Sequence, residues 1–112
     1  MAGRARLPVE PVISPALALD PLIHERLRLA ILAALGSHGR LTFNELKALT
    51  GTTDGNLSTH TQKLETAGYV QALKGMIGGR SNTTYAITIP GKDALARYLD
   101  ALERLMGQMR GN

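Results

Sequence analysis

Residues 41–70 read LTFNELKALTGTTDGNLSTHTQKLETAGYV, and the fold turns on how this stretch divides. Thr42-Phe43-Asn44-Glu45 has the S/T-x-x-E spacing of a capping box, in which the Thr hydroxyl and the Glu carboxylate each accept from an otherwise unpaired backbone N–H. It predicts a short helix with Leu46 and Leu49 inward, closed by Thr50-Gly51. Thr52 to Asp54 then offer caps for a following helix that runs to about Ala67, with Gly68 as its left-handed C-terminal residue. Within that helix Leu57, Leu64 and Ala67 recur at steps of seven and three and define the buried side. Two helices joined by a few residues that include glycine form the pattern of a helix-turn-helix.

Upstream, Asp20-Pro21 predicts a helix start, Asp as cap and Pro at the first helical position. Leu22, Ile23, Leu27, Ala30, Ile31, Ala34 and Leu35 follow at three- and four-residue steps, an amphipathic helix with one buried face, and Gly36 and Gly39 end it. Before it, Pro8, Pro11 and Pro15 leave residues 1 to about 15 without a period. Arg4 and Arg6 ahead of apolar residues imitate a signal peptide, but the prolines and Glu10 interrupt any hydrophobic run. A flexible arm is expected, and a solvated tail is the plainer reading of Arg4 and Arg6 than a minor-groove arm.

Downstream of Gly68 the period changes. Tyr69–Leu73 reads as a short strand, Gly75, Gly78 and Gly79 mark a loop, and Thr83–Thr88 returns as a β-rich strand. A hairpin placed after a helix-turn-helix makes a wing over residues 75–82. A last helix begins near Pro90, and Leu95, Tyr98, Leu99, Leu102, Leu105, Met106 and Met109 recur near the 3.5-residue heptad spacing. A helix of that length outruns a three-helix core, so this stripe is the expected homodimer interface, helped by Val12, Ile13, Leu17 and Leu19. The plan is an arm over 1–19, a winged helix-turn-helix over 20–89 and a dimerisation helix with its tail over 90–112, mainly α with a small β-hairpin wing.

The 112 residues are 44% hydrophobic but only 4% aromatic, enough for one aliphatic core. Thirteen Lys and Arg against nine Asp and Glu give a net charge of +4, which permits a polyanionic partner without requiring one. The absence of cysteine excludes disulfides, thiolate metal sites and thiol redox sensing, and agrees with a cytoplasmic protein. No stretch of about 18 apolar residues exists, so no membrane partner is expected. His24, His38 and His60 fall on different elements without metal-ligand spacing, and no metal or cofactor is expected. Paired carboxylates, a Ser/His/Asp set and a phosphate-cradling loop are all missing, because Gly78-Gly79 lies between strands and not before a helix, so an enzyme is not expected.

DPLIHERLRLAILAAL over 20–35, the 41–70 stretch and TTYAITIPGKDAL over 83–95 resemble MarR/ArsR-like winged-helix regulators, above all the small winged helix DNA-binding domain subgroup. The DGNLSTH…KLE.AGYV segment is the specific part. The resemblance implies a DNA-binding dimer whose helix over 54–67 enters the major groove while the wing approaches the backbone or minor groove. It also implies DNA proximity for Ser58 and His60, through the S-x-H pattern of ArsR-like proteins. Two departures stand out: the subgroup usually has Leu where this chain has Thr61, and its wings carry more basic residues than Gly78-Gly79-Arg80-Ser81-Asn82.

The residues themselves suit DNA. Asn56 and Gln62 can pair bidentately with adenine, Ser58, Thr59 and Thr66 can bond bases or phosphates, and Lys63 can neutralise a phosphate. In the wing, Arg80 is the best phosphate or minor-groove candidate, with Lys74, Ser81 and Asn82 beside it. His60 lies three residues after Leu57, so packing at the core edge competes with DNA contact. Asp54 and Glu65 oppose phosphate, and Asp54 is better explained as a cap. The expected function is a sequence-specific regulator, a repressor by analogy, on a palindromic operator. The rival is a winged-helix module for protein–protein contact, motivated by the sparse positive charge between Gly51 and Thr88. A small-molecule effector could lodge between the last helix and the reading domain, but no residue cluster marks one.

Overall fold

The caps read from the sequence set most of the element boundaries. The computed structural model describes residues 14–111, in which α1 spans Arg26–His38, α2 Phe43–Thr50, α3 Asp54–Thr66 and α4 Ile89–Met109. Strand β1 spans Arg40–Thr42, β2 Val70–Ile77 and β3 Arg80–Ile87, in an antiparallel sheet of order β1-β3-β2. A single 3₁₀ turn at Pro15–Ala18 packs against α4. The expectations for Arg4, Arg6, Val12 and Ile13 lie outside the described residues.

The capping box at the head of α2 is formed in full. The Glu45 N–H donates to Thr42 Oγ1 at 3.1 Å and the Thr42 N–H donates to Glu45 Oε1 at 2.8 Å. Gly51 ends α2 at φ 68°, a conformation that costs a Cβ-bearing residue roughly 1–2 kcal/mol, so the chain reverses into α3 within three residues. Thr53 caps α3 by accepting the Asn56 N–H at 3.2 Å. Thr88 caps α4 by accepting the Gly91 N–H at 3.0 Å, while its own hydroxyl donates to the Gly68 carbonyl at 2.6 Å. The core lies between the helices and one face of the sheet: Ile31, Leu32 and Leu35 of α1 meet Leu46, Leu57, Leu64, Leu41, Val70, Tyr85 and Tyr98. No helix among the described residues is long and apolar enough to cross a membrane.

Several expectations need correction. α1 starts at Arg26, not Pro21, because Glu25 is extended and takes the cap, accepting the Arg28 N–H at 2.7 Å. Asp20 serves a different end: one carboxylate oxygen accepts the Leu22 N–H at 2.9 Å and the other accepts the Tyr69 hydroxyl at 2.6 Å, tying the entry of α1 to the end of α3. Gly36 lies inside α1, which continues to His38. Leu49, Ala30 and Ala67 are exposed: Leu49 sits at the edge of the apolar arc of α2, Ala30 points away from the buried Ile31, Leu32 and Leu35 of α1, and Ala67 lies past the last turn of α3 as its C-cap. Strand β1 has no signal in the sequence, because its three residues Arg-Leu-Thr are too few to show a period. The hairpin is also longer than the loop reading allowed. Ile77 pairs with Arg80, so Gly75, Met76, Ile77, Ser81 and Asn82 are strand residues and only Gly78 and Gly79 turn.

Candidate nucleic-acid interface

Three residues hold α3 to the core: Leu57, Thr61 and Leu64, at steps of four and three. Thr61, at 2% exposure, stands where a larger apolar residue would be expected, and its hydroxyl is satisfied within the helix. It donates to the Leu57 carbonyl at 2.9 Å and approaches the Ser58 carbonyl at 3.1 Å. With that face turned inward, Asn56, Ser58, Thr59, Gln62, Lys63 and Thr66 are all exposed. At about 100° per residue, Thr59, Gln62 and Thr66 lie nearly opposite the buried face, with Asn56 and Lys63 on one flank and Ser58 and Glu65 on the other. The outermost positions carry no carboxylate. Asp54, at the start of α3, is offset by Lys47 of α2 at 2.8 Å, a pair too exposed to stabilise much but enough to mask one negative charge.

His60 occupies the Asn56 flank and is half-buried against the entry of α1. Its Nδ1 lies 2.8 Å from Arg28 Nη1 and 3.7 Å from Glu25 Oε1. A guanidinium has only protons to give, so in this geometry Nδ1 accepts and the ring proton resides on Nε2. The Arg28 Nε–H donates to the Leu22 carbonyl, which fixes the guanidinium in place. Burial works to raise the Glu25 pKa, but the N–H groups of Arg28 and Leu27, with the Arg28 guanidinium beside them, outweigh it and hold the carboxyl below its ordinary value. Beside this group an open cleft of about 440 Å³ runs between Arg26 and Ala30 of α1, the Thr50–Thr52 turn, and Asn56 and His60 of α3. The two readings of His60 therefore meet in one residue, which packs at the core edge and also borders the polar flank.

The wing candidates divide. The ladder register puts Lys74 and Ser81 on the same side as Tyr85, toward the core, whereas Arg80 and Asn82 project from the opposite side with Ile77 and Leu73. Lys74, Arg80 and Ser81 are exposed and Asn82 is half-buried. Sequence reasoning missed Arg26, Arg28 and Arg40. The first two reach the flank of α3, and Arg40 of β1 lines a shallow cleft with Asn82 and Thr84. No local pattern marks them, because the tertiary fold alone joins segments some 30 residues apart.

α4 carries two apolar seams where the sequence showed one. Gly91, Ala94, Tyr98 and Ala101 face the protein's own interior. Tyr98, expected at a subunit interface, is buried, and its hydroxyl lies 2.9 Å from His24 Nδ1. Leu95, Leu102 and Leu105 are half-buried, while Leu99 is 49%, Met106 40% and Met109 80% exposed.

The comparisons with known proteins agree with this geometry. The family model described as "Winged helix DNA-binding domain" matches residues 27–106. A curated relative, the uncharacterized protein MJ0432 of Methanocaldococcus jannaschii, is 42% identical over 72 residues, covering 64% of this chain and 78% of that protein. Among solved structures, a transcriptional regulator homologue from Pyrococcus horikoshii superposes with a TM-score of 0.73 at 27% identity, covering 79% of this chain and 87% of that one. PadR of Bacillus subtilis, solved in complex with operator DNA, has the same fold at 20% identity and a TM-score of 0.61, over 67% of this chain and 47% of that one. With helix-turn-helix, three-stranded sheet and hairpin in place and the family model spanning most of its length, this chain belongs to the winged helix DNA-binding domain family.

Proposed function

We propose that this protein is a sequence-specific, double-stranded DNA-binding transcriptional regulator that acts as a homodimer, most simply as a repressor on a palindromic operator. The observation that carries the reading is the outward face of α3: six polar side chains, all exposed, on the second helix of a helix-turn-helix, with no carboxylate among the outermost positions and Asp54 at its start paired to Lys47. In this reading α3 lies in the major groove. Asn56, Thr59 and Gln62 contact base edges, while Ser58, Lys63 and Thr66 contact the backbone. His60 presents Nε2–H as a donor, and the wing with Lys74, Arg80, Ser81 and Asn82 lies on the backbone or minor groove. Arg26, exposed on α1, adds positive charge that the span from Gly51 to Thr88 lacks, whereas the Arg28 guanidinium is held against Glu25 and His60.

The second seam of α4 supports the dimer. Leu95, Leu99, Leu102, Met106 and Met109 recur at steps of four, three, four and three, the spacing of a coiled-coil a/d stripe. Leu95 and Leu102 pack partly against the core, whereas Leu99, Met106 and Met109 are exposed, so a second copy can cover these three without disturbing the domain. A two-fold dimer sets its recognition helices about one DNA turn apart, which is why a palindrome is expected.

The test is fluorescence anisotropy on the duplex upstream of the protein's own gene and on a scrambled duplex, across a salt series. Preference for the native duplex is expected, with Lys63→Ala and Arg80→Ala weakening binding on every sequence and lowering the salt slope by roughly 0.9 per phosphate lost. Gln62→Ala or Asn56→Ala should instead relax preference at particular bases by about 1–3 kcal/mol. No binding at low salt would favour the protein-interaction reading.

A further inference from the structure

The tip of the wing is apolar where a DNA-binding hairpin would be expected to be basic. Met76 is 67% and Ile77 62% exposed, at the last two positions of β2. They point to opposite faces of the ribbon, so the tip carries one large apolar side chain on each side. Cross-strand, Met76 faces Ser81 and Ile77 faces Arg80. The turn is Gly78-Gly79 with φ of 58° and 79°, the two positive values of a type I′ turn, so nothing bulky projects beyond the apolar pair. Residues 70–87 include no acidic side chain, and Lys74 and Arg80 are their only charges.

Such a tip fits one kind of surface. Exposed Met and Ile gain nothing in water, and two cations with no carboxylate between them suit an anionic surface, which for a winged helix DNA-binding domain is the duplex itself. The minor groove of duplex DNA is about 6 Å wide, and a hairpin narrowed by glycine enters it only by prising it open. Side chains such as Met and Ile do this by wedging against or between base steps, which kinks the duplex by roughly 20–90°. We propose that Met76 and Ile77 form a minor-groove wedge, with Arg80 seated on the flanking phosphates, so that this protein bends the DNA it binds. The inference rests on the DNA-binding reading above and adds to it a deformation of the duplex and a preference for easily unstacked pyrimidine–purine steps under the wing.

The experiment uses the full chain, a duplex selected from a random library by the wild type, and end-labelled fluorescence energy transfer to read the bend alongside affinity. The double variant Met76→Ser, Ile77→Ser changes only exposed side chains, and circular dichroism checks that it folds. The expected result is a bent duplex with the wild type, about a tenfold loss of affinity in the double variant at an unchanged salt slope, and a straightened duplex. Arg80→Ala should behave oppositely, lowering the salt slope by roughly 0.9. A wild type that binds a straight duplex, or a double variant that matches it in affinity and bend, overturns the wedge alone. A double variant that keeps its bend but loses self-association by sedimentation also overturns it, and makes the tip a contact between copies. A wild type that selects no duplex overturns the DNA reading and the wedge together.

Discussion

Two glycine-to-alanine changes inside helices are expected to move stability in opposite directions, and the structure sets both signs. At Gly91, in the first turn of α4, an added Cβ falls 2.1 Å from the Tyr69 carbonyl oxygen and 2.9 Å from Ile87 Cγ1. Neither neighbour can yield cheaply. The Tyr69 carbonyl accepts the Thr88 N–H at 3.0 Å, the Tyr69 hydroxyl is held by Asp20, and Ile87 is paired with Val70 in the sheet. Relief therefore requires lifting the first turn of α4, and overpacking of this kind costs typically 1–3 kcal/mol, here at the upper end because the clash is with backbone. Helix propensity favours alanine by at most about 1 kcal/mol, so the steric loss wins by about 2 kcal/mol. For a chain of this size that lowers Tm by about 8 °C. At Gly36, in α1, the added Cβ meets only Leu95 Cδ2 at 3.8 Å, an ordinary contact, so propensity acts unopposed and Tm rises by about 2–4 °C. Thermal melts followed by circular dichroism decide the matter. A Gly91→Ala protein as stable as the wild type would refute the close approach of α4 to Tyr69.

Two further outcomes are expected. Leu99→Glu with Met106→Glu should convert a micromolar dimer into a monomer by multi-angle light scattering while the domain stays folded, because both side chains lie outside the core; a wild type that is already monomeric would count against the α4 interface. The folded pKa of Glu25 lies below its ordinary 4.5, so its contribution to stability is complete above that value and is lost as pH falls through the lower folded value. Glu25→Gln keeps an acceptor for the Arg28 N–H but not the charge, so its Tm should fall less steeply than the wild type's in strongly acidic buffer. Parallel curves would contradict that assignment.

Local chemistry alone determined a large part of this protein. The Thr42–Glu45 capping box, Gly51 and the three-to-four-residue apolar steps each act within one or two turns of chain, so the helix-turn-helix and the exposed face of α3 were legible from the letters. The hairpin was legible in kind but not in extent. Three glycines read as a loop, whereas the register, set by pairing with β3, needs only two of them to turn. What the tertiary structure decided are the features that depend on distant partners. Asp20 reads as a helix cap until Tyr69 arrives to take its carboxylate, and Glu25 then caps α1 instead. His60 gains Arg28 and Glu25 only when α1 packs on α3. The apolar stripe of α4 is one pattern in the sequence and two in space, since a period near 3.5 residues cannot say which adjacent seam the core will claim. Packing on α1 gives Tyr98 and Ala101 to the interior and leaves Leu99 and Met106 outside. Periodicity reports that a face is apolar, but what covers that face is a property of the assembled fold.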